Sequence, residues 1–375
     1  MAKSFGKAQT PLSCQLCDNA VTIKWKCEDC NLLMCENCKE KVHLRVKGAA
    51  KHLIISTKEI GKRKDENISD RFASLALDPY QSKVNTKVIE SVFYTYTTDL
   101  PSIHNILCDD DDNVYVNNNN VNTLRKVRLL KRSIKQLQTF DLLIFDCSIN
   151  TEGEILFAPR PGFELHALTK SGQTKVVMNA SPLILLAIHF NKRGELLIGL
   201  RDQGPKYEVT DFSTRQVAIL GHDYKRRVTI EFDASGRKLF TFPAHITTES
   251  ASNIYVADWF DDNHTGRVVA VDRDSVLLFI YNGCESINSP DTPLNPKSIT
   301  VTSSDNIIVA DKINHALHVL RPSGELIGFQ NCEEFGIELP LSLCVDSEGF
   351  LLIGCNTYND DEKPLAKIHV VKITV

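Results

Sequence analysis

The sequence lacks several features that would assign it to a common class of protein. Its longest apolar run is the nine residues 182–190, whereas a membrane-spanning helix needs about 18 or more. Residues 1–10 hold no apolar core of the kind that a secretory signal requires. No G-x-S-x-G motif, P-loop or paired-carboxylate motif occurs. We therefore expect a soluble, cytoplasmic protein without membrane association and without catalytic residues of these kinds.

Basic residues are scarce in the larger part of the chain. Residues 88–375 carry 27 Lys and Arg against 37 Asp and Glu, whereas residues 1–87 carry 16 against 10. A net acidic domain repels the phosphate backbone of nucleic acids, so RNA binding by residues 88–375 is disfavoured. Six basic residues do cluster locally: Arg125, Lys126, Arg128, Lys131, Arg132 and Lys135. In a strand-rich domain, such a run favours a solvated sheet edge over a nucleic-acid site.

Cysteine and histidine, in contrast, are concentrated near the N-terminus. Eight potential metal ligands lie within 39 positions: Cys14, Cys17, Cys27, Cys30, Cys35, Cys38, His43 and His52. The six cysteines form three C-x-x-C pairs, a spacing that lets two thiolates on one turn reach the same tetrahedral Zn²⁺. Eight ligands fill two four-coordinate sites and leave no position for water or substrate. We therefore predict two structural zinc ions.

Two alternatives concern this cysteine-rich segment. Disulfide bonds between the same cysteines would need an oxidising compartment, which the N-terminal sequence does not indicate. Zinc also explains how so short a segment folds, because each structural ion can supply on the order of 10 kcal/mol of apparent folding free energy. The spacing alone does not decide which four ligands share an ion, so interleaved and consecutive sites both stay open.

The run C-x2-C-x9-C-x2-C-x4-C-x2-C-x4-H-x8-H resembles the B-box zinc finger of the tripartite-motif (TRIM) family. This resemblance covers about a tenth of the chain. It implies a cross-brace in which one zinc ion is held by Cys14, Cys17, Cys35 and Cys38 and the other by Cys27, Cys30, His43 and His52. The B-box subtype stays open, because Cys17 is often a histidine in one of the two subtypes.

The sequence around the finger departs from the TRIM pattern. Thirteen residues precede Cys14, which leaves no room for a RING finger. Residues 56–87 are polar and lack the repeated apolar heptads of a coiled coil, so they are expected to form a linker. Because the family's usual dimer is built on that coiled coil, self-association of this chain stays open.

Residues 88–375 repeat a pattern of two apolar strands joined by a polar turn. Six turns lie at residues 112–113, 153–154, 194–195, 252–253, 305–306 and 349–350, separated by 41, 41, 58, 53 and 44 residues. Repeats of about 40 to 50 residues with several short strands are typical of a β-propeller, whose blades are four-stranded sheets. A further turn at Gly236-Arg237 is too close to the next one to begin a separate blade, so we expect it to be the outer hairpin of the adjoining blade. We therefore predict six blades.

Two segments of this region resemble the NHL repeat. Residues 309–326 carry Asn314-His315 at the family's signature position, and residues 256–264 are a looser copy. Asp258 and Asp311 end strands in these segments. Because Asp side chains commonly accept hydrogen bonds from nearby amides in turns, we expect this structural role rather than a catalytic one.

The two ends of the repeat region indicate how the propeller closes. The apolar runs 88–96 and 368–375 have no turn partner of their own. An unpaired terminal strand would expose backbone donors and acceptors, so we expect both runs to join the same or adjacent blades. The predicted architecture is mainly β, with a B-box finger at 9–55, a linker at 56–87 and a six-bladed NHL-type β-propeller at 88–375.

These features together predict a zinc-binding adaptor or scaffold similar to NHL-type TRIM proteins. Its propeller loops would recognise a protein partner, and its B-box would support association. An E3 ubiquitin ligase, or a ligase subunit acting with a RING-bearing partner and other ubiquitin-pathway components, is the enzymatic alternative, although the family's ligase activity comes from the RING. An RNA-binding post-transcriptional regulator is a second alternative. No catalytic residue is predicted, and the predicted cofactors are the two zinc ions alone.

Overall fold

The structure is a computed structural model that describes residues 17, 23–27, 32–41, 54–56, 84, 87–159, 162–356 and 365–374. The chain forms two compact units, Met1–Gln81 and Ser82–Val375. Among the described residues, none belongs to a helix long and apolar enough to cross a membrane. The predicted limits of the finger, linker and propeller stay predictions.

The first unit contains a small antiparallel sheet and one helical turn. Its elements are β1 (Trp25–Cys27), β2 (Leu32–Met34), α1 (Glu36–Lys41) and β3 (Ile54–Ser56), and the strand order is β2-β1-β3. The indole Nε1 of Trp25 donates a hydrogen bond to Glu36 at 2.9 Å, and Nζ of Lys39 lies 3.5 Å from the centroid of the same ring. These contacts tie the start of α1 to β1, so they fix the position of the chain segment that carries Cys35 and Cys38.

The second unit is built from six four-stranded antiparallel sheets, each one a blade. Blade 1 comprises β5 (Asn105–Cys108), β6 (Asn113–Asn118), β7 (Thr123–Leu130) and β8 (Ser133–Asp141). Blade 2 comprises β9 (Asp146–Ile149), β10 (Ile155–Ala158), β11 (Glu164–Leu168) and β12 (Thr174–Asn179). Blade 3 comprises β13 (Ile184–Phe190), β14 (Leu196–Arg201), β15 (Arg215–Leu220) and β16 (Arg226–Ile230).

The remaining three blades complete the ring. Blade 4 comprises β17 (Pro243–Thr248), β18 (Ile254–Trp259), β19 (Gly266–Val271) and β20 (Leu277–Tyr281). Blade 5 comprises β21 (Pro296–Val301), β22 (Ile307–Asp311), β23 (Ala316–Leu320) and β24 (Leu326–Asn331). Blade 6 comprises β25 (Pro340–Val345), β26 (Leu351–Cys355), β27 (Lys367–Ile373) and, from the other end of the chain, β4 (Ile89–Thr97). The first strand of each blade contacts the first strands of its neighbours around a central axis. The prediction of a mainly β protein with a six-bladed propeller is confirmed.

The turn between the first and second strands follows one design in all six blades. The residues with positive φ in these turns are Asp112, Gly153, Gly194, Ser252, Asp305 and Gly349. The N–H of each donates to the carbonyl three residues earlier, at 2.9–3.2 Å. Left-handed backbone is tolerated best by Gly, Asn and Asp. The geometry of the turn therefore explains the polar, glycine-containing repeat in the sequence.

The ring closes by pairing the two ends of the propeller. β27 pairs antiparallel with β4, so that Ile368 lies opposite Tyr96 and Val371 opposite Val92. The amides of Val88 and Ile89 both donate to the side-chain oxygen of Gln330 in blade 5, each at 2.8 Å. The prediction that the terminal runs join one blade is confirmed, and the first residues of β4 are also held by the neighbouring blade.

Two further predictions for the propeller can be compared with the structure. The turn at Gly236 forms no additional blade, as predicted, but it is not the outer hairpin of a blade: it lies in the connection between β16 and β17, where Phe232 and Lys238 form an isolated bridge. The basic run belongs to the hairpin of β7 and β8 at the outside of blade 1. Within this run, Arg125 pairs with Asp99, and Lys126 lies 3.4 Å from Asp109. Part of its charge is therefore neutralised inside the blade, as expected of a solvated edge.

Candidate functional site

Three of the eight predicted zinc ligands come together in the described part of the first unit. The Sγ atoms of Cys17, Cys35 and Cys38 all lie within 4.8 Å of one another. Cys35 and Cys38 are buried, and none of the three is in a disulfide. The other predicted ligands Cys14, Cys30, His43 and His52 lie outside the described residues, and for Cys27 the structure describes only the backbone, in β1.

This thiol cluster fits a metal ion. A Zn–S bond of about 2.3 Å places two thiolates of a tetrahedral site roughly 3.8 Å apart, which is compatible with the observed spacing. Cys35 precedes α1 and Cys38 lies in its first turn, so one short segment supplies two of the three thiols. Soft thiolate donors favour zinc over the alkaline-earth metals. The three residues also belong to the same set in the cross-brace that the TRIM resemblance implies, whereas the identity of the ion and its fourth ligand stay predictions.

A cavity of about 1040 Å³ opens at one end of the propeller axis. It lies at the end where the first strand of each blade begins and the second strand ends. Every blade contributes to its wall, for example through His104, Phe145, Ile184, Trp259, Lys297 and Leu341. The six repeated turns described above lie at the opposite end of the axis.

The two aspartates that the sequence singled out brace the wall of this cavity. One carboxylate oxygen of Asp258 accepts hydrogen bonds from the amides of Thr241 and Phe242, both at 2.7 Å. In the same way, Asp311 accepts from the amide of Asn295 at 3.1 Å. Both aspartates are fully buried, and burial raises the pKa of Asp258. Their predicted structural role is confirmed, because each one holds the connection that leads into its own blade.

Aromatic rings form one side of the cavity. The rings of Trp259 and Phe242 are stacked, with their centroids 5.7 Å apart and an angle of 4° between their planes. The indole Nε1 of Trp259 donates to the carbonyl of Pro296 in the next blade at 2.7 Å. His264, which has a φ of 62°, places its ring 4.0 Å from the indole. The hydrogen bond to blade 5 fixes the indole so that its face is directed at the neighbouring residue, Lys297.

Lysine side chains supply the charge of the cavity. Lys297 is 6% exposed, and its Nζ lies 4.4 Å from the centroid of the Trp259 ring and donates a hydrogen bond to Nδ1 of His264. Lys206 pairs with Asp262 at 2.8 Å. Within the described ranges, neither Lys297 nor Lys312 has a carboxylate oxygen within the 4.0 Å of an ion pair. The cavity therefore holds two lysine side chains without a counter-charge from the described residues.

The electrostatic consequence is visible in the pKa values of these groups. Burial, reinforced by the nearby charges of Lys312 and Lys206, lowers the pKa of Lys297 to about 6. Burial also lowers the pKa of Lys312. The pKa of His264 falls to about 3, because of burial and the adjacent lysines. A negative group entering the cavity would stabilise the charged form of both lysines.

This cluster is not evident from the sequence alone. There, Trp259 and His264 stand out only through the likeness of residues 256–264 to an NHL repeat, and no motif marks Lys297 or Lys312. A weak signal exists, because Lys297 is the one charged residue of the first strand of blade 5, which is mostly buried and where a charged side chain is unexpected. That signal does not show which residues surround the lysine.

No protein-family profile matches the sequence, and no curated protein matches it. Solved structures do resemble the fold. A luciferin-regenerating enzyme matches 74% of this chain and 95% of its own, with 12% identity and a TM-score of 0.54. A gluconolactonase from Xanthomonas campestris matches 76% of this chain and 91% of its own, with 10% identity and a TM-score of 0.54.

A third similar structure is a calcium-binding protein, regucalcin from Agrobacterium tumefaciens. It matches 77% of this chain and 96% of its own, with 12% identity and a TM-score of 0.53. At such low identity these similarities concern the fold alone. The TRIM and B-box resemblance of the N-terminal segment stays a prediction from the sequence. The larger unit of the chain is a six-bladed β-propeller with the fold seen in these three proteins.

Proposed function

We propose that this protein is a zinc-stabilised adaptor whose propeller recognises a protein partner at the cavity end. The observation that carries the proposal is the cavity itself, because its wall combines residues from six blades with a stacked aromatic pair, the buried Lys297 and the half-buried Lys312. Concave sites with apolar walls and a few convergent polar groups are the usual places where propellers and other folds bind ligands.

In this proposal the first unit contributes to assembly rather than to chemistry. Two zinc ions would be held by the eight predicted ligands, with Cys17, Cys35 and Cys38 sharing one of them. Saturated thiolate and imidazole sites stabilise small folds and leave no open position for a reacting molecule. The finger would then support association with other proteins, as the B-box resemblance implies.

Calcium binding, the property named for one of the structural neighbours, is not favoured for this cavity. Regucalcin is described as calcium-binding, and calcium prefers several carboxylate and carbonyl oxygens. Among the described residues of the present cavity wall, Lys297 and Lys312 have no carboxylate partner, and their protonated forms would repel a divalent cation. An adaptor that binds a partner through this cationic cavity agrees better with the geometry.

Site-specific photocrosslinking tests the proposal. In the test protein, a photoreactive amino acid would replace Ile313, which is 51% exposed at the cavity rim. In the control protein, the same amino acid would replace Glu152, which is exposed in a turn at the opposite end of the axis. We expect a protein to crosslink to the Ile313 position, saturably and in competition with unlabelled full-length chain. Equal crosslinking at both positions, or crosslinking at Glu152 alone, would contradict the proposed location.

A further inference from the structure

The charges that face the cavity do not cancel. Lys206 is neutralised by Asp262, and Arg201 donates to the backbone carbonyls of Asp202 and Gly204 at 2.8 and 3.1 Å. Burial and the neighbouring lysines favour the neutral form of His264, and Asp291 is an exposed residue of the cavity wall. Lys297 and Lys312 remain as the two lysines of the cavity wall that have no carboxylate partner among the described groups.

An unpaired buried ammonium group opposes folding, because it loses its hydration without gaining a counter-charge. A side chain that only filled this space would be more stable as an apolar residue of similar volume. Lys297 has this unfavourable environment, since its contacts in the described structure are the indole face of Trp259 and the imidazole of His264. Such an arrangement is suited to the binding of an anionic group.

The walls indicate what kind of anion fits. Trp259, Phe242 and Leu341 are buried apolar residues that line the cavity, and Ile313 lies at its rim. These residues favour a ligand with an apolar body. Phosphate sites more often use arginine forks or the amides of a helix N-terminus, and a phosphate dianion is harder to dehydrate than a carboxylate. Two lysines in a cavity with aromatic residues in its wall therefore favour an organic monoanion.

One uncharged group adds a further requirement. Asn295 lines the cavity and is 1% exposed. Its side-chain oxygen is buried and has no hydrogen-bond partner among the described residues. A buried acceptor without a partner is costly, so a ligand that brings an N–H or O–H donor would be favoured. A peptide segment offers such a donor beside a carboxylate.

We propose that the cavity is a binding site for an organic carboxylate, held by Lys297 and Lys312 with its apolar body against Trp259. This inference rests on the proposed function, in that the carboxylate is supplied by the protein partner as an acidic side chain or a C-terminal carboxylate next to an apolar residue. The chemistry of the site can nevertheless be tested without the partner.

Fluorescence offers a direct readout, because the chain has two tryptophans and one of them lies in the cavity. In full-length protein with Trp25→Phe, the emission of Trp259 would be followed during titration with 3-phenylpropionate. The matched neutral compound is 3-phenylpropanamide, and the matched phosphate is phenyl phosphate. We expect saturable binding of the carboxylate, with the amide at least about tenfold weaker because it lacks the charge-assisted hydrogen bonds.

Variants connect this binding to the two lysines. Lys297→Met and Lys312→Met should each weaken 3-phenylpropionate about tenfold or more, since each removes a charged donor. The exposed Lys372, which pairs with Glu90, provides the control Lys372→Met, which should bind as the parent does. If Lys297→Met does not fold, Lys297→Gln serves in its place. Equal binding of acid and amide, tighter binding of phenyl phosphate, or unchanged binding by both lysine variants would overturn the proposal.

Two peptides separate the sources of the carboxylate. One is acetyl-Gly-Leu-Glu-Leu-Gly-amide, whose only carboxylate is the Glu side chain, and the other is acetyl-Gly-Leu-Gln-Leu-Gly with a free C-terminus. If one peptide displaces 3-phenylpropionate, the carboxylate of a protein partner can occupy the cavity, and the active peptide shows whether it is a side-chain or a C-terminal carboxylate. If neither peptide displaces it, a protein partner is not the source of the carboxylate. Carboxylate binding without any crosslinked protein at Ile313 would refute the proposed adaptor function alone. A crosslinked partner without carboxylate binding would refute the present inference alone.

Discussion

The ammonium nitrogen of Lys297 lies 4.4 Å from the centroid of the Trp259 indole ring, and this contact joins blade 5 to blade 4 at the cavity end of the propeller. A cation above an indole face is attracted by the ring quadrupole. That attraction does not replace the lost hydration, because the pKa of Lys297 is still lowered to about 6. The contact between Lys297 and Trp259 therefore does not compensate for the burial of the lysine. The side chain remains able to gain stability by binding an anion.

Replacing Lys297 with Met should stabilise the propeller near neutral pH. The ordinary pKa of 10.5 applies in the unfolded chain, whereas the folded value is about 6. Between these values the unfolded chain binds a proton that the folded chain does not, so the stability of the parent rises with pH across this window. Lys297→Met removes this cost and should raise the free energy of unfolding by about 1 kcal/mol or more at pH 6.

Thermal unfolding at several pH values checks this expectation. The advantage of Lys297→Met should be greatest at pH values near 6 and should shrink as the pH approaches 10.5. Lys372→Met, at an exposed position, should follow the parent at every pH. If Lys297→Met melts at or below the temperature of the parent near pH 6, burial of the lysine does not destabilise the folded state.

Glu195 and Arg273 should make the propeller acid-sensitive. The two residues link turns of blades 3 and 4 through contacts of 2.5 and 2.8 Å. The hydrogen bond with Arg273 is the main reason why the pKa of Glu195 falls from 4.5 to about 2. This contribution to stability is complete above the unfolded pKa of 4.5 and is lost as the pH falls through the folded value of about 2.

Glu195→Gln should therefore lower the free energy of unfolding by about 1 kcal/mol at neutral pH. The effect is this small because the ion pair is partly exposed to solvent. Denaturant unfolding would measure it, and the difference from the parent should vanish near the folded pKa of about 2. The control is Glu348→Gln, at an exposed position in the corresponding turn of blade 6. A loss of stability that does not change with pH would mean that the ion pair is not its cause.

The full-length protein should contain two zinc ions. Cys35→Ser should remove one of them, because Cys35 shares a thiol cluster with Cys17 and Cys38. Replacing Cys27 or His43 should unfold residues 14–52 and leave the propeller intact. Elemental analysis together with thermal unfolding checks both statements, with Cys284→Ser in the propeller as the control. One ion or none in the parent protein would refute the assignment.

Deleting residues 368–375 should destabilise the whole propeller. The deletion removes most of β27, which pairs with β26 on one side and with β4 on the other. Opening the ring also exposes the edges of both neighbours, so the melting temperature should fall by more than about 10 °C. Removing residue 375 alone is the control and should have little effect. A truncated protein that melts within a degree or two of the parent would place the closure of the ring elsewhere.

The fold was predictable because its constraints are local. Each of the six turns needs one residue with left-handed backbone. Residues that tolerate this conformation, such as Gly153 and Asp305, can be recognised at these positions in the sequence. The pairing of β4 with β27 followed from the need of two apolar end segments for partners. The grouping of Cys17, Cys35 and Cys38 came from the family resemblance, since spacing left the sharing of ligands open.

The cationic cavity could not be predicted in this way. Trp259 ends β18, Lys297 lies in β21 and Lys312 follows β22, so no short pattern contains all three. Their meeting depends on how neighbouring blades are placed around the axis. The absence of a nearby carboxylate among the described residues also becomes visible only when the chain is folded.

The most direct test of the cationic cavity is proton uptake during ligand binding. Calorimetric titration of the full-length protein with 3-phenylpropionate, in two buffers of different ionisation enthalpy, would measure it at a pH of about 7.5. A bound carboxylate raises the pKa of Lys297 from about 6. We expect uptake of about half to one proton per ligand in the parent and none in Lys297→Met. Binding without proton uptake in the parent, or equal uptake in both proteins, would contradict the role assigned to this lysine.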